Sequence, residues 1–201
     1  MLKRIVVMVS GGGSNLQAII DSIAGGHIPG TIVGVISDKA GVYALERARL
    51  AGIPSCVILR KDQEKDLLPK LEELKPDLIV LAGFLSIIRE NVVRRFEHKI
   101  INLHPALIPS FCGDGMYGMM VHEAVLARGV KLSGVTVHFV DEGTDSGPII
   151  LQDTVPIYED DTAESLAERI HELEHSLLPE AIKLFCEDRL KVSGKRVLVK
   201  I

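Results

Sequence analysis

Asn102 and His104 stand two residues apart at the end of an apolar run that begins at Ile100. In a β-strand, residues i and i+2 point to the same face, so an amide donor and a titratable imidazole would emerge side by side. Pro105 then ends the strand, and strand ends are common places for chemistry in α/β proteins. The alternative is a strand that ends in ordinary polar loop residues, and these residues alone leave both interpretations open.

A third polar group, Asp145, follows 41 residues after His104. A carboxylate near an imidazole fixes its tautomer and raises its pKa, so we expect an imidazolium at His104. With Asn102 as an uncharged donor, the three groups suit the stabilisation of an oxyanion and the transfer of a proton. No serine occupies a Gly-x-Ser-x-Gly turn and Cys112 lacks a recognisable partner. The chemistry expected is therefore direct attack by a substrate nucleophile such as an amine.

A glycine-rich turn over residues 10–17 joins the first predicted strand to the first predicted helix. Its glycines allow close backbone approach, and a helix N-terminus offers unpaired N–H groups and partial positive charge to a phosphate. Ser14 and Asn15 can add side-chain hydrogen bonds. The P-loop lysine is absent, and Leu16 occupies the third glycine position of the dinucleotide motif. A monophosphate site is the preferred interpretation, and a tight turn without a ligand is the alternative.

The remaining histidines carry weaker predictions. His138 lies in a predicted strand, where a structural role is more common, and His122 is expected only to cap a helix. A metal held by these two histidines and His104 lacks a close-spaced ligand pair, so we predict no metal. Residues 171–175 are by default a charged helix face, although Glu174 would bind a substrate ammonium or hydroxyl if it faced the cleft.

The composition is that of an ordinary globular domain, with 201 residues, a net charge of -4, 47% hydrophobic and 25% charged residues. The acidic balance disfavours a nucleic-acid partner, and no apolar run reaches the roughly 20 residues that span a bilayer. Three cysteines in no metal or redox spacing indicate free thiols. Since the N-terminus also lacks a signal-peptide pattern, we expect a cytoplasmic protein with neither nucleic-acid nor membrane partners.

Short β-branched runs alternate with stretches of helical periodicity in the first half of the chain. The predicted strands cover residues 5–9, 31–37, 56–59, 78–82 and 99–103. The predicted helices cover residues 15–24, 44–51, 61–74 and 86–96. This alternation predicts an α/β fold with a Rossmann-like, mostly parallel twisted sheet and helices on both faces.

The pattern changes in the second half. Residues 108–118 are rich in glycine and proline and predict a loop, followed by a short helix near 121–128. Two strands are predicted over 134–140 and 149–156, then a long helix from 163 towards 186. Residues 189–192 and 196–200, joined by Ser-Gly-Lys, predict a terminal β-hairpin.

Five ordered motifs resemble the folate-dependent phosphoribosylglycinamide formyltransferases of purine biosynthesis. They are GGGSNLQAII from Gly11, PDLIVLAGFLSII from Pro76, INLHPALIPSF from Ile101, GVTVHFVDEGTDSGPIILQ from Gly134 and LEHSLLPEAI from Leu173. Together they cover nearly the whole length. One motif alone would be weak, but five in this order are specific.

The resemblance implies transfer of a formyl group from 10-formyltetrahydrofolate, the co-substrate, to the amine of phosphoribosylglycinamide, without a metal. It implies one formyltransferase domain over residues 1–201, with a phosphate-binding half at 1–100 and a catalytic and folate-binding half at 101–201. Asn102, His104 and Asp145 align with the family's catalytic residues. The amine would attack the formyl carbon, and His104, held by Asp145, would stabilise the tetrahedral intermediate as an acid.

The same alignment implies the binding residues. For phosphoribosylglycinamide they are Gly12, Gly13, Ser14, Asn15, Leu16 and Glu174. For folate they are Arg60, Leu85, Ser86, Ile87, Ile88, Asn102, Asp141, Glu142, Gly143, Thr144 and Asp145. Arg60 would meet the glutamate tail, and Ser86 replaces an arginine common in the family, so contacts there are expected from backbone groups. The 110–120 loop lacks the family's usual Pro-Gly-Leu-His-like sequence, so the resemblance does not determine whether the loop closes. A homodimer is a further possibility that the resemblance leaves undecided.

Four other functions compete with this expectation. Methionyl-tRNA formyltransferase usually has a further C-terminal RNA-binding domain, whereas this chain is acidic and ends at Ile201. Formyltetrahydrofolate hydrolase usually has an N-terminal regulatory domain and has little need of a phosphate loop. A nicotinamide-dependent oxidoreductase is disfavoured by the missing third glycine. A non-enzymatic nucleotide-binding module would bind phosphate but lose no function when His104 is changed.

Overall fold

The computed structural model describes residues 2–200, whose strands form one sheet of nine strands. The strands are β1 (Lys3–Val9), β2 (Gly30–Ser37), β3 (Ser55–Val57), β4 (Leu78–Leu81), β5 (Ile100–His104), β6 (Leu132–Phe139), β7 (Ile149–Pro156), β8 (Leu190–Ser193) and β9 (Arg196–Val199). The helices are α1 (Ser14–Ala24), α2 (Tyr43–Leu50), α3 (Gln63–Leu74), α4 (Glu90–Arg95), α5 (Met119–Arg128) and α6 (Ala163–Cys186).

The sheet has the order β3-β2-β1-β4-β5-β6-β7-β9-β8. Strands β1 to β5 are mutually parallel, whereas β6 is antiparallel to both β5 and β7. The β8–β9 hairpin extends the sheet through a parallel pairing of β9 with β7. The predicted α/β architecture, with its parallel half, long C-terminal helix and terminal hairpin, is confirmed.

Both faces of the sheet are covered, because the strands alternate between two apolar clusters. In β1, Ile5, Val7 and Val9 enter one cluster, and Val6 and Met8 enter the other. Helices α1, α2, α5 and α6 pack on the first face, and α3 and α4 pack on the second. Burial on both faces explains why the sequence of these strands is almost wholly apolar.

Helix α6 begins at a capping box. Thr162 accepts a hydrogen bond from the backbone of Ser165, whose side chain accepts one from the backbone of Thr162. Asp161 just before the helix pairs with Arg169 at 2.8 Å. These contacts fix the start of the helix and therefore the register that places Glu174 about three turns later.

One predicted helix starts too early. The sequence pattern predicts a helix from residue 86, but α4 begins at Glu90 and residues 84–89 form a loop over the strand ends. The Ser86 hydroxyl donates to Asp38 at 2.7 Å, and the backbone N–H of Leu85 donates to Ser10 at 2.8 Å. These tertiary hydrogen bonds compete with the local helical preference and hold the segment open.

The sheet reverses its winding direction between β1 and β4, since β2 lies on one side of β1 and β5 lies beyond β4. In open α/β sheets such a switch point leaves a crevice at the carboxyl ends of the strands. The glycine-rich turn follows β1, the 84–89 loop follows β4 and Pro105 follows β5 at this edge. Within residues 2–200, no helix is both long and apolar enough to cross a membrane.

Candidate active site

A single cleft at these strand ends contains most of the residues singled out in the sequence. Its walls come from the glycine-rich turn, the 84–89 loop, the end of β5, the loop before α5, the 140–145 turn and one face of α6. Asn15, Asn102, His104, Asp145 and Glu174 all line it. The structure therefore brings together groups that lie up to 159 residues apart in the sequence.

The glycine-rich turn leaves the N-terminus of α1 open to the cleft. Gly13 takes a left-handed conformation at φ 74°, and the helix has no side-chain cap. A Cβ on Gly13 would lie 2.7 Å from that of Ala44, whereas one on Gly12 would meet nothing within 4 Å. Arg47 donates to the Gly12 carbonyl at 2.9 Å and brings a cation beside the turn. Uncapped N–H groups with a nearby cation suit an anion such as phosphate.

Ser10 ties this turn to the loop that follows β4. Its backbone N–H donates to the Gly83 carbonyl at 3.1 Å, and its side chain accepts from the backbone N–H of Leu85 at 2.8 Å. Two walls of the cleft are thus fixed to one another by one backbone hydrogen bond and one hydrogen bond to the Ser10 hydroxyl.

Glu174 on α6 meets Asn15 on α1 at the base of the cleft. The Asn15 amide Nδ2 donates to Glu174 Oε2 at 2.8 Å, and both side chains are buried. Burial raises the pKa of Glu174, while the Asn15 hydrogen bond and nearby His171 oppose that rise. A partly desolvated carboxylate with unused acceptor capacity is suited to an ammonium or hydroxyl donor of a ligand.

Strand register places four polar side chains on one face of the β5–β6 pair. Asn102 lies opposite His138, and His104 lies opposite Thr136. His138 Nδ1 is 2.8 Å from the Phe139 carbonyl, so this nitrogen carries the proton and Nε2 is an acceptor. Nε2 lies 3.2 Å from the Asn102 Nδ2 and accepts from it, which fixes the orientation of the Asn102 amide.

Asp145 completes this group from the turn after β6. Its Oδ1 lies 3.4 Å from Asn102 Nδ2, its Oδ2 lies 3.5 Å from His104 Nδ1, and Oδ2 accepts from the backbone N–H of Gly113 at 3.0 Å. Burial alone would raise the pKa of Asp145, but the His138 and His104 rings, when they carry a second proton, and the Gly113 N–H outweigh it and lower the pKa. Asp145 is therefore an anion that faces His104.

The backbone of the 141–147 turn determines where this carboxylate points. Asp145 has a φ of 53°, a left-handed conformation that aspartate tolerates better than most residues. A Cβ on Gly147 would lie 1.8 Å from the Phe139 carbonyl, so only glycine fits there. Asp141 accepts from the Ser146 hydroxyl at 2.7 Å and closes the turn.

His104 is almost fully buried, and its Nε2 donates to the Phe111 carbonyl at 2.7 Å. Burial lowers the pKa of His104, and the Asp145 carboxylate and the Phe111 carbonyl offset this only in part. The expectation of a raised pKa is wrong, because desolvation of the imidazolium exceeds its attraction to Asp145. A second proton would enter at Nδ1, which faces Asp145.

The 110–120 loop lies directly over these groups. Phe111 contacts His104 through its carbonyl, and Gly113 contacts Asp145 through its N–H. As predicted, residues 108–118 contain neither helix nor strand. The loop thus occupies the hydrogen-bonding positions of both catalytic candidates in this structure.

The predicted folate segment after β4 divides by side-chain direction. Leu85 and Ile87 are 50% and 66% exposed at the cleft, whereas Ile88 is buried in the core and offers only its backbone. Ser86 is also buried and directs its hydroxyl to Asp38. Its hydroxyl is therefore already engaged, and contact of a ligand with backbone groups here stays a prediction.

The other predicted folate residues also reach the cleft, with different side-chain roles. Arg60 lines it. Glu142 pairs with Arg94 on the surface, and the Thr144 hydroxyl lies 3.4 Å from Asp114. Asp141 is committed to its own turn, and Gly143 donates to it through the backbone. On the substrate side, Leu16 is fully buried in the core, so only its backbone is near the turn.

Sequence reasoning underrated two histidines of the cleft. His138 orients Asn102, and the signal that could have revealed it was the antiparallel register of the two strands. His122 does not cap a helix, since α5 begins at Met119 and the His122 ring is buried against the cleft. Among residues 2–200, no group of three or more His, Cys, Asp or Glu side chains is placed to hold a metal ion.

Comparison with known proteins gives concordant matches. The family model described as Formyl transferase matches residues 3–182. The chain is 41% identical over 194 residues to phosphoribosylglycinamide formyltransferase, chloroplastic, of Vigna unguiculata, covering 94% of this chain but 62% of that relative. The crystal structure of glycinamide ribonucleotide transformylase 1 from Symbiobacterium toebii is similar with a TM-score of 0.93 and 43% identity, over 100% of this chain and 95% of the other.

A protein named for a different activity shares the fold. The crystal structure of a formyltetrahydrofolate deformylase from Pseudomonas syringae pv. tomato has a TM-score of 0.92 and 27% identity to this chain. The similarity covers 100% of this chain and 67% of that one. Fold similarity alone therefore does not distinguish transfer to an amine from transfer to water.

Proposed function

This chain belongs to the formyl transferase family, and from that premise we propose that it is a phosphoribosylglycinamide formyltransferase. It transfers the formyl group of 10-formyltetrahydrofolate to the substrate amine and yields formylglycinamide ribonucleotide and tetrahydrofolate, a step of de novo purine biosynthesis. One observation carries the proposal. A single cleft joins an uncapped helix N-terminus, the buried Glu174 carboxylate and the cluster of Asn102, His104 and Asp145.

The reaction needs no covalent enzyme intermediate. The amine nitrogen attacks the formyl carbon, and the carbonyl electron pair moves to oxygen to give a tetrahedral oxyanion. The bond from that carbon to the folate N10 then breaks. One proton leaves the attacking nitrogen and one arrives at N10, so the folate departs as a neutral amine. The protein must stabilise the oxyanion and hold or move these protons.

His104 meets the reacting atoms through Nε2, because its Nδ1 faces Asp145. In this structure the Phe111 carbonyl occupies the hydrogen-bonding position at Nε2, so substrate binding has to displace it. With its pKa lowered by burial, His104 rests as a neutral imidazole near pH 7. The proton affinity of His104 rises as negative charge develops on the formyl oxygen, and the Asp145 carboxylate balances the charge of the imidazolium.

Asn102 supplies a neutral amide beside the same atoms. Its Nδ2 already contacts His138 and Asp145, so the amide cannot rotate without losing both contacts. The N–H that contacts His138 holds the amide in place, and the N–H that reaches Asp145 by the longer contact would be shared with the oxyanion as it forms. His138 and Asp145 support the geometry of Asn102 as well as that of His104.

The substrate assignments follow the two ends of the cleft. The turn containing Gly12, Gly13, Ser14 and Asn15 would bind the ribose phosphate, and Glu174 would bind the glycinamide amine. The exposed Leu85 and Ile87 with the 141–145 backbone would line the pterin pocket, and Arg60 would approach the glutamate tail. In this scheme residues 1–100 supply phosphate binding and residues 101–201 supply catalysis within one domain.

We further propose a cytoplasmic location, since Cys56, Cys112 and Cys186 are free thiols, as is usual in a reducing compartment. Phosphoribosylglycinamide and 10-formyltetrahydrofolate are the partners proposed, with no nucleic acid, membrane or metal. A homodimer stays a prediction, and the sedimentation behaviour of the purified protein would test it.

The deciding experiment follows absorbance during turnover of 10-formyltetrahydrofolate with and without phosphoribosylglycinamide. Turnover that requires the amine supports the transferase. Turnover without the amine would favour hydrolysis. Hydrolysis is the second candidate function because the deformylase has a similar fold. An absence of turnover in both reactions would contradict both functions.

A further inference from the structure

Two histidines of the cleft, His122 and His171, have no task in the mechanism, and of these only His122 is buried. It lies on α5, is 3% exposed, lines the cleft, and is near enough to His171 of α6 and to His104 for both to affect its pKa. Helix α5 packs against α6, which carries Glu174, so His122 lies beside the part of the cleft that would hold the amine substrate.

The hydrogen bonds of this ring are incomplete. Within residues 2–200, Nδ1 is sealed from solvent without a partner, whereas Nε2 is not among the sealed atoms. A buried N–H without an acceptor is rarer and more costly than a buried acceptor without a donor. The favoured tautomer therefore leaves Nδ1 bare and places the proton on Nε2, the nitrogen with access to the cleft.

The charge state of the ring supports a neutral donor. Burial, with smaller contributions from the positive charge that His171 and His104 can carry, lowers the pKa of His122 to about 4. The ring is consequently neutral near pH 7 and cannot compete with His104 for the proton that moves during the reaction. A neutral N–H in a desolvated position is suited to an uncharged oxygen acceptor.

We propose that His122 donates a hydrogen bond from Nε2–H to an oxygen atom of phosphoribosylglycinamide and so contributes to recognition of the amine substrate. The inference rests on the proposed function, because it requires that substrate in the cleft. It adds a contact from α5 to those from α1 and α6. The amine substrate would thus be held between three helices, with its nitrogen at Glu174 and an oxygen at His122.

Two substitutions separate the hydrogen bond from the bulk of the ring. His122→Phe keeps a planar ring but removes the donor, and His122→Gln retains an amide N–H near the position of Nε2. Steady-state kinetics is measured with each substrate varied while the other is saturating. In the Phe variant we expect the KM for phosphoribosylglycinamide to rise about tenfold, with kcat and the folate KM within threefold of wild type.

The Gln variant should stay within about threefold of wild type in all three parameters. Thermal unfolding establishes that each variant is folded, and His122→Leu replaces the Phe variant if that protein does not fold. An unchanged amine KM in a folded variant without the donor, or a loss confined to kcat, would overturn this inference alone. Failure of the wild-type protein to turn over phosphoribosylglycinamide would overturn the proposed function, and this inference with it.

Discussion

The amide of Asn15 donates to the carboxylate of Glu174 across 2.8 Å, joining the first helix to the last beneath the cleft. The contact is buried, and the Asn15 Oδ1 on the other side of the amide has no partner within the described residues. In a protein interior, both the oxygen and the nitrogen of a buried side-chain amide normally have hydrogen-bond partners. We interpret the unused acceptor, like the raised pKa of Glu174, as a feature of a site that is completed by its substrate.

Replacement of Glu174 by Gln should separate stability from binding. Because the folded-state pKa of this carboxyl is raised, ionisation at neutral pH opposes folding, and stability falls as pH rises through that pKa. The neutral amide keeps an acceptor for Asn15 and removes this penalty. We expect an unfolding temperature at pH 7 equal to or above that of wild type, together with a KM for the amine raised at least tenfold. A lower unfolding temperature with an unchanged amine KM would contradict the assignment.

His104→Ala should reduce kcat by about 10²–10⁴, the usual contribution of a positioned acid or base. Asp145→Asn should also reduce kcat strongly, because the neutral amide cannot balance an imidazolium at His104 Nδ1, which lies 3.5 Å from Asp145 Oδ2. Rapid-quench measurement of a single turnover isolates the chemical step. Circular dichroism of both variants provides the folding control, and near-normal rates in both would exclude this mechanism.

The glycine-rich turn offers a matched pair of substitutions. A methyl group on Gly12 meets no protein atom within 4 Å, whereas one on Gly13 would press on Ala44 in a left-handed backbone conformation. Gly12→Ala should therefore fold normally but weaken binding of the phosphate, with an increased KM for the amine substrate. Gly13→Ala should lose about 1 kcal/mol or more of stability. Equal stability of the two variants in urea titration would refute this account of the turn.

Stability should fall on acidification through the range in which His122 titrates. Its folded-state pKa of about 4 lies below the ordinary 6.5, so the unfolded state binds more protons between these values. Stability from this group is fully present above pH 6.5 and decreases towards pH 4, by roughly 3 kcal/mol at about 1.4 kcal/mol per unit. Urea denaturation at several pH values should give a smaller decrease for His122→Gln. Parallel curves for both proteins would count against a buried neutral ring.

Ser86→Ala should affect stability more than folate binding. The Ser86 hydroxyl is the only hydrogen-bond donor to the buried Asp38 side chain within residues 2–200, and the other oxygen, Oδ1, is already without a partner. Loss of the hydroxyl should cost about 1–3 kcal/mol of unfolding free energy. The folate KM should change less than threefold, since this hydroxyl is engaged by Asp38 and the side chain is buried. A large increase in the folate KM without a change in stability would show that the Ser86 side chain binds folate and does not mainly stabilise the fold.

Local sequence patterns predicted most of the elements because their causes are local. Alternating apolar runs define strands buried on both faces, and the polar caps and periodicity of residues 163–186 define α6 with the bounds that the structure has. The helix predicted from residue 86 failed for the opposite reason. Its start depends on hydrogen bonds to Ser10 and Asp38, which are distant in the sequence.

The sequence by itself determined which chemical groups this protein has and which strand and helix ends carry them, since residue spacing and periodicity act over a few residues. The tertiary structure alone decided which groups meet. Strand register set His138 against Asn102, and packing of α5 turned His122 into the cleft. Burial also reversed the expected direction of the pKa shift at His104. Desolvation depends on everything that surrounds a group, and no local pattern contains that information.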